Sequence, residues 1–239
     1  MLIRRPEGDT GHGLQIVLVH GIGVSSRYYT RLARALAPSA GVHVLELPGF
    51  GAAPRPDTPL TIKEHADMVS AYVRSAGLHR PVLVGHSMGV QVVVEAALQT
   101  PHLYRSLAGI GGVVDPSSRT ALRQAARLGL DILREPPLAN WAVLRDYLRT
   151  GPRWYLKTLP MMLGYRLEEA LPRLTVPLLV LRGSRDPIAT QPWAEQMQQL
   201  TPDARLVTLG RAAHVAMYSR PDDVATEILE FARVATGPR

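Results

Sequence analysis

The pentapeptide Gly85-His86-Ser87-Met88-Gly89 constrains this chain more than any other part of it. Val82, Leu83 and Val84 lead into it as a short aliphatic run, and Val90, Val93, Val94, Ala97 and Leu98 follow at helical spacing. A strand therefore ends, and a helix begins, on either side of one serine. Such a sharp turn lifts the serine hydroxyl clear of a sheet, and it needs glycines because neighbouring backbone comes too close for side chains. A serine hydroxyl is a poor nucleophile at neutral pH. The pattern thus calls for a histidine to take its proton and a carboxylate to hold that histidine, both brought in from elsewhere in the chain.

The rest of the sequence supplies a scaffold of the same kind. Short aliphatic runs at residues 15–19, 42–47, 81–84, 107–114, 178–182 and 206–209 read as strands. Helical patterns lie between them: residues 27–37, a stretch opening with the capping box Thr61/Glu64 and running to about Ala76, and a C-terminal helix carrying Val224, Ile228, Phe231 and Ala235 on one face. Strands that are aliphatic on both faces and alternate with helices predict an α/β fold with a mostly parallel central sheet covered on both sides. Between Asp115 and Pro172 the pattern changes to helices without strands, broken at Pro136-Pro137 and Gly151-Pro152. The expected organisation is a core in two parts, residues 1–115 and 173–239, with a helical lid at 116–172. The apolar segment 154–163 fits either a second small core or a wall facing substrate.

Among eight histidines, His214 is the candidate base, because it follows the last strand and precedes the C-terminal helix, where a loop can return over the carboxyl edge of the sheet. His20 and His86 belong to the two glycine motifs and read as hydrogen-bonding supports. Asp186, in the turn Gly183-Ser184-Arg185-Asp186-Pro187 after a strand, is the candidate orienting acid, with Asp115 as its rival. Acyl transfer also builds negative charge on a carbonyl oxygen, which backbone N–H groups can stabilise. The Met88 N–H is the first candidate donor. The second comes from Gly21-Ile22-Gly23, with Ile22 preferred and Gly23 as the alternative.

A length of 239 residues with 46% hydrophobic content suffices for one sizeable core. The net charge of +7 comes mostly from arginines scattered along the chain rather than gathered in a block, which reads as a solvated surface and argues against nucleic acid. Without cysteine there is neither disulfide nor thiolate metal site. The first thirteen residues lack the apolar run of a secretory signal, and no stretch is long enough to span a membrane. The expectation is a cytoplasmic protein acting on a small molecule with an apolar portion.

With these motifs in place, the chain resembles the α/β-hydrolase superfamily, from His20-Gly21-Ile22-Gly23 through Leu47-Pro48-Gly49-Phe50-Gly51 and the Ser87 pentapeptide to Asp186 and His214. The resemblance implies a Ser87–Asp186–His214 triad with no metal and no organic cofactor. Only about fourteen residues precede the first strong strand, where relatives carry a hairpin, so the sheet is expected to be short of one or two edge strands. The leading expectation is a serine hydrolase cleaving carboxylic esters of modest size. Two alternatives stand beside it: carbon–carbon bond hydrolysis of a vinylogous diketone, and a ligand-binding homologue without turnover.

Overall fold

A computed structural model describes residues 2–4 and 13–235. Seven strands form one sheet in the order β1-β3-β2-β4-β5-β6-β7: β1 Leu2–Arg4, β2 Gln15–Val19, β3 Gly41–Leu45, β4 Val82–His86, β5 Ser106–Ile110, β6 Leu178–Gly183 and β7 Ala204–Leu209. β2 to β7 run parallel, and β1 pairs antiparallel with β3. One antiparallel strand thus occupies the edge where the sequence suggested a deficit.

Every residue of β2 to β6 is buried, whereas β7 is largely half-exposed, as an edge strand should be. Because side chains alternate across a pleated sheet, Ile16 and Leu18 join one apolar cluster while Val17 and Val19 join the other. Helices α1 (Thr30–Leu36) and α10 (Pro221–Val234) cover the first face. Helices α2 (Ile62–Ser75), α3 (Met88–Gln99) and α8 (Gln191–Leu200) cover the second. The capping box forms as the sequence predicts: the Glu64 N–H donates to Thr61 Oγ1 at 3.2 Å, and Glu64 Oε2 accepts from the Thr61 N–H at 2.7 Å.

Most expected strand bounds shift by one or two residues, and two expected elements change in kind. The run at 107–114 stops being strand at Ile110, because Gly111 takes φ +57°, a left-handed turn that no strand can continue through. The helix expected over 27–37 begins as a 3₁₀ turn, Ser26–Tyr29, before α1.

Between β5 and β6 the described chain is helical: α4 Ala121–Ile132, α5 Pro137–Thr150, α6 Pro152–Gly164 and α7 Leu167–Ala170. Proline stands at the first position of α5 and of α6, where its missing N–H is harmless. The segment 154–163 makes no separate core: Trp154 and Met162 join the main apolar cluster, and Leu156 faces solvent. Buried polar contacts fasten this helical segment down. Asp146 of α5 accepts from Ser25 N at 2.8 Å and Ser25 Oγ at 2.6 Å, Thr150 Oγ1 donates to Gly23 O at 3.0 Å, and Gln91 Nε2 donates to Met162 O at 3.0 Å. A short helix, α9 (Ala216–Ser219), lies between the loop after β7 and α10.

Candidate active site

The turn after β4 has the geometry its glycines require. Ser87 sits at φ 55°, ψ −120°, a sparsely populated conformation for a non-glycine residue that persists only when its surroundings hold it. A side chain at Gly85 would strike the Gly89 carbonyl, and one at Gly89 would strike the carbonyl of Val19 in the neighbouring strand. Ser87 is therefore forced to the carboxyl edge of the sheet at the start of α3, half-buried, and its hydroxyl takes no partner among the described residues.

The loops after β6 and β7 meet at the same edge. Asp186 Oδ1 accepts from the N–H groups of Ile188 at 2.7 Å and Ala189 at 2.9 Å, which fixes the carboxylate. Its Oδ2 faces His214 Nδ1 at 2.8 Å. Since a carboxylate can only accept, Nδ1 carries the proton and Nε2 is left as the basic nitrogen. Asp115, the rival acid, lies elsewhere in the network: it accepts from Ser117 N at 2.9 Å and Ser117 Oγ at 2.6 Å, and it pairs with Arg127 of α4 at 3.0 Å. The structure thus brings Asp186 to the histidine and assigns Asp115 to anchoring α4.

Several further groups were not legible in the sequence. Gly111 lies beside the histidine–aspartate pair, and a side chain there would come within 2.9 Å of the imidazole. Tyr28 is fully buried and bridges two motifs: its hydroxyl donates to His86 Nδ1 at 2.7 Å and accepts from the Gly21 N–H at 3.2 Å. His86 Nε2 in turn donates to the His214 carbonyl at 3.0 Å. His20, as expected of a support, donates from Nδ1 to Gly21 O at 2.8 Å and accepts the Leu47 N–H on Nε2 at 3.0 Å.

This bonding narrows the choice of oxyanion donors. The Gly21 N–H is consumed by Tyr28, whereas the N–H groups of Ile22, Gly23 and Met88 have no acceptor among the described residues.

Two carboxylates from the inserted segment, Asp131 of α4 and Glu135 of the turn before α5, complete the electrostatics. Asp131 accepts from the His214 N–H at 3.1 Å and Glu135 from the Val215 N–H at 2.5 Å, and both side chains are buried. Burial disfavours an imidazolium at His214, but the charge and hydrogen bond of Asp186, with Asp131 and Glu135 behind it, more than offset this and raise its pKa to about 9. Glu135 is itself pushed up to about 7, by burial first and then by the charges of Asp131 and Asp186. His86 moves the other way, well below the usual histidine range, because it is buried and the charge of the His214 ring, centred 4.7 Å away, opposes a second one. Its neutral form is the one its hydrogen bonds require.

Ser87 and His214 open onto a cavity of about 740 Å³ between the sheet edge and the inserted helices. Its walls are mainly apolar, among them Ile22, Val113, Leu128, Trp141, Tyr147 and Met162, and among the described residues they include no lysine or arginine. No group of three or more His, Cys, Asp or Glu side chains among the described residues is placed to hold a metal ion. No helix among the described residues is long and apolar enough to cross a membrane.

A parallel sheet with helices on both faces and a serine on a strained strand-to-helix turn at its carboxyl edge defines an α/β-hydrolase fold. The sequence model of the alpha/beta hydrolase family matches residues 16–227, and the chain belongs to that family. It is an enzyme of the hydrolase class.

The chain is 26% identical to the polyketide synthase ThaQ of Burkholderia thailandensis over 92% of its own length, but it spans only 12% of that much larger protein. It is 24% identical to the pimeloyl-[acyl-carrier protein] methyl ester esterase of Pectobacterium atrosepticum, covering 91% of this chain and 94% of that one. Among solved structures, the enol-lactonase from Burkholderia xenovorans superposes with a TM-score of 0.82 at 21% identity, over 97% of this chain and 96% of the other. At that identity the likeness is one of fold.

Proposed function

We propose that this protein is a serine hydrolase of carboxylic esters of modest size, working through an acyl-enzyme on Ser87. The observation that carries the reading is the His214 Nδ1–Asp186 Oδ2 bond of 2.8 Å at the mouth of the apolar cavity onto which Ser87 also opens. In this reading Ser87 Oγ attacks the acyl carbon as His214 Nε2 takes the hydroxyl proton. The N–H groups of Met88 and Ile22 receive the negative charge that forms on the carbonyl oxygen. Collapse of the tetrahedral intermediate breaks the acyl C–O bond, and His214 returns the proton to the departing alcohol. Water then repeats the sequence to release the acid and restore Ser87. Asp186 holds the imidazole tautomer and stabilises the imidazolium in both halves.

Two of the similar proteins bear names that denote cleavage of an acyl C–O bond, a methyl ester esterase and an enol-lactonase, and this supports the ester assignment. The cavity supports it too: among the described residues its only ionisable walls besides histidine and tyrosine are the acids Asp131 and Glu135, which favour an uncharged substrate over an anionic one. Residues 116–172 serve as the lid over the acyl or alcohol part.

The test is a pre-steady-state assay with p-nitrophenyl esters from acetate to dodecanoate, run on wild type and Ser87→Ala. A burst that depends on Ser87, with an optimum chain length, is expected. Wild-type turnover in the alanine variant would overturn the proposal.

A further inference from the structure

We propose that the outer face of helices α4 to α6 is a docking surface for anionic lipid, placing the cavity mouth against a membrane or micelle surface. Between residues 116 and 167 the sequence holds three carboxylates, Asp131, Glu135 and Asp146, and all three are buried. The exposed charges of α5 and α6 are therefore all cationic: Arg145, Arg149, Arg153 and Lys157 are exposed and form no ion pair among the described residues.

Large apolar side chains stand among these cations. Leu133 is 82% exposed, Leu148 71%, Trp141 64% and Leu156 63%. On α5, the positions 138, 141, 144, 145, 148 and 149 form one exposed stripe of leucine, tryptophan and arginine, while Ala139, Asp146 and Thr150 point inward. A helix covered only by water has polar residues on that stripe. Leucine and tryptophan projecting beside unpaired arginines match instead the chemistry of a lipid interface, where apolar side chains enter the acyl boundary and cations meet phosphate.

The position of the face supports the same occupant. Ile132, Leu133, Trp141 and Leu144 are exposed and also line the cavity, so the surface that would contact lipid is continuous with the cavity wall. An apolar ester could pass from the lipid phase into the site without crossing water. Docking does not depend on which bond is cut at Ser87.

The experiment is co-sedimentation of the protein with vesicles of phosphatidylglycerol and phosphatidylcholine in equal parts, against pure phosphatidylcholine, at low and high salt, with tryptophan emission recorded in parallel. Trp154 and Trp193 are buried, so a blue shift reports on Trp141. Expected are binding to the anionic vesicles, release by salt and a blue shift. Each of Arg145→Ala, Arg149→Ala and Arg153→Ala should weaken partitioning roughly five-fold, leaving turnover of a soluble short-chain ester unchanged. Ser87→Ala should bind as wild type does, which separates this proposal from the catalytic one. Failure to sediment with anionic vesicles at low salt would overturn it, as would equal binding to both vesicle types. A concentration-dependent blue shift without lipid, accompanied by a doubled mass, would assign the face to a second copy of the chain instead. An equal shift with soluble polyglutamate would assign it to an acidic protein.

Discussion

The His86 side chain donates from Nε2 to the main-chain carbonyl of His214 across 3.0 Å, so the residue before Ser87 is tied to the backbone of His214. A carbonyl can only accept, which leaves His86 Nδ1 as the acceptor for Tyr28, and the Tyr28 oxygen as the acceptor for Gly21. Three loops from three strands, after β2, β4 and β7, are thereby registered against one another by a single buried chain of hydrogen bonds. Removing its middle member, Tyr28→Phe, leaves two buried polar groups unpaired and should cost about 1–3 kcal/mol of stability, read from urea unfolding. Because Gly21 and His86 hold the proposed oxyanion loop and the turn before Ser87, kcat should fall about ten-fold, and since Tyr28 also lines the cavity KM should rise with it. A change confined to stability would remove Tyr28 from any role in positioning.

Gly111→Ala should be more damaging than its size suggests. The residue holds φ +57°, and its new methyl group would press on the His214 ring and come within 3.3 Å of Asp186 Oδ2. The conformational strain alone is of order 1 kcal/mol. Displacement of the imidazole should lower kcat/KM by at least ten-fold, in protein that still shows native circular dichroism.

Asp186→Asn and Asp115→Asn separate the two candidate acids. The first removes the acceptor that fixes the His214 tautomer and should lower kcat by roughly 10³–10⁴-fold. The second breaks the contact with Arg127 and should loosen α4, lowering the melting temperature while the chemical step survives on a short-chain ester. The reverse pattern would exchange their roles.

In the proposed mechanism the neutral imidazole is the base, so kcat/KM should rise with pH through the His214 titration. From the sequence alone that limb belongs near 6.5, but the surrounding carboxylates move it upward, toward 9. Glu135→Gln removes one of those charges while keeping an oxygen for the Val215 N–H. Its acidic limb should therefore lie at lower pH than that of wild type, and a pH–rate profile of both proteins measures the shift.

The same shifts affect stability in a defined direction. The folded-state pKa of His214 lies above its ordinary 6.5, so its stabilising contribution is complete below about 6.5 and is lost as pH rises through about 9. Glu135, raised from 4.5 to about 7, contributes in full below 4.5 and loses that contribution through about 7. The melting temperature of wild type should therefore decline from pH 6.5 to 9, and the decline should be shallower in His214→Ala.

The pentapeptide, the strand order of motifs and the positions of Asp186 and His214 were readable because each rests on local chemistry: a glycine where backbones touch, a polar residue just past an aliphatic run. Tyr28 was not readable, since an aromatic in a helical pattern looks like any core residue until the fold brings it to His86. Gly111 was concealed inside an aliphatic run whose left-handed turn no neighbouring residue announces. Asp131 and Glu135 stand among exposed residues of an amphipathic segment, and only the packing of α4 over the β7 loop turns them inward. The strand expected at 107–114 was too long for the same reason that Gly111 was missed.

The contacts from Asp146 to Ser25 and from Thr150 to Gly23 bear on how such an enzyme can be altered. Both partners lie in the loop after β2 that carries Ile22, so α5 and that loop form one mechanical unit. A chimaera that exchanged residues 137–150 for those of a relative would disturb turnover along with selectivity unless Ser25 and its neighbours travelled with them. Leu128 and Ile132 of α4 make neither of those contacts, but their neighbours Arg127 and Asp131 tie the helix to Asp115 and to the His214 loop, so there single side chains and not the whole helix are what can be exchanged to redesign what enters the cavity.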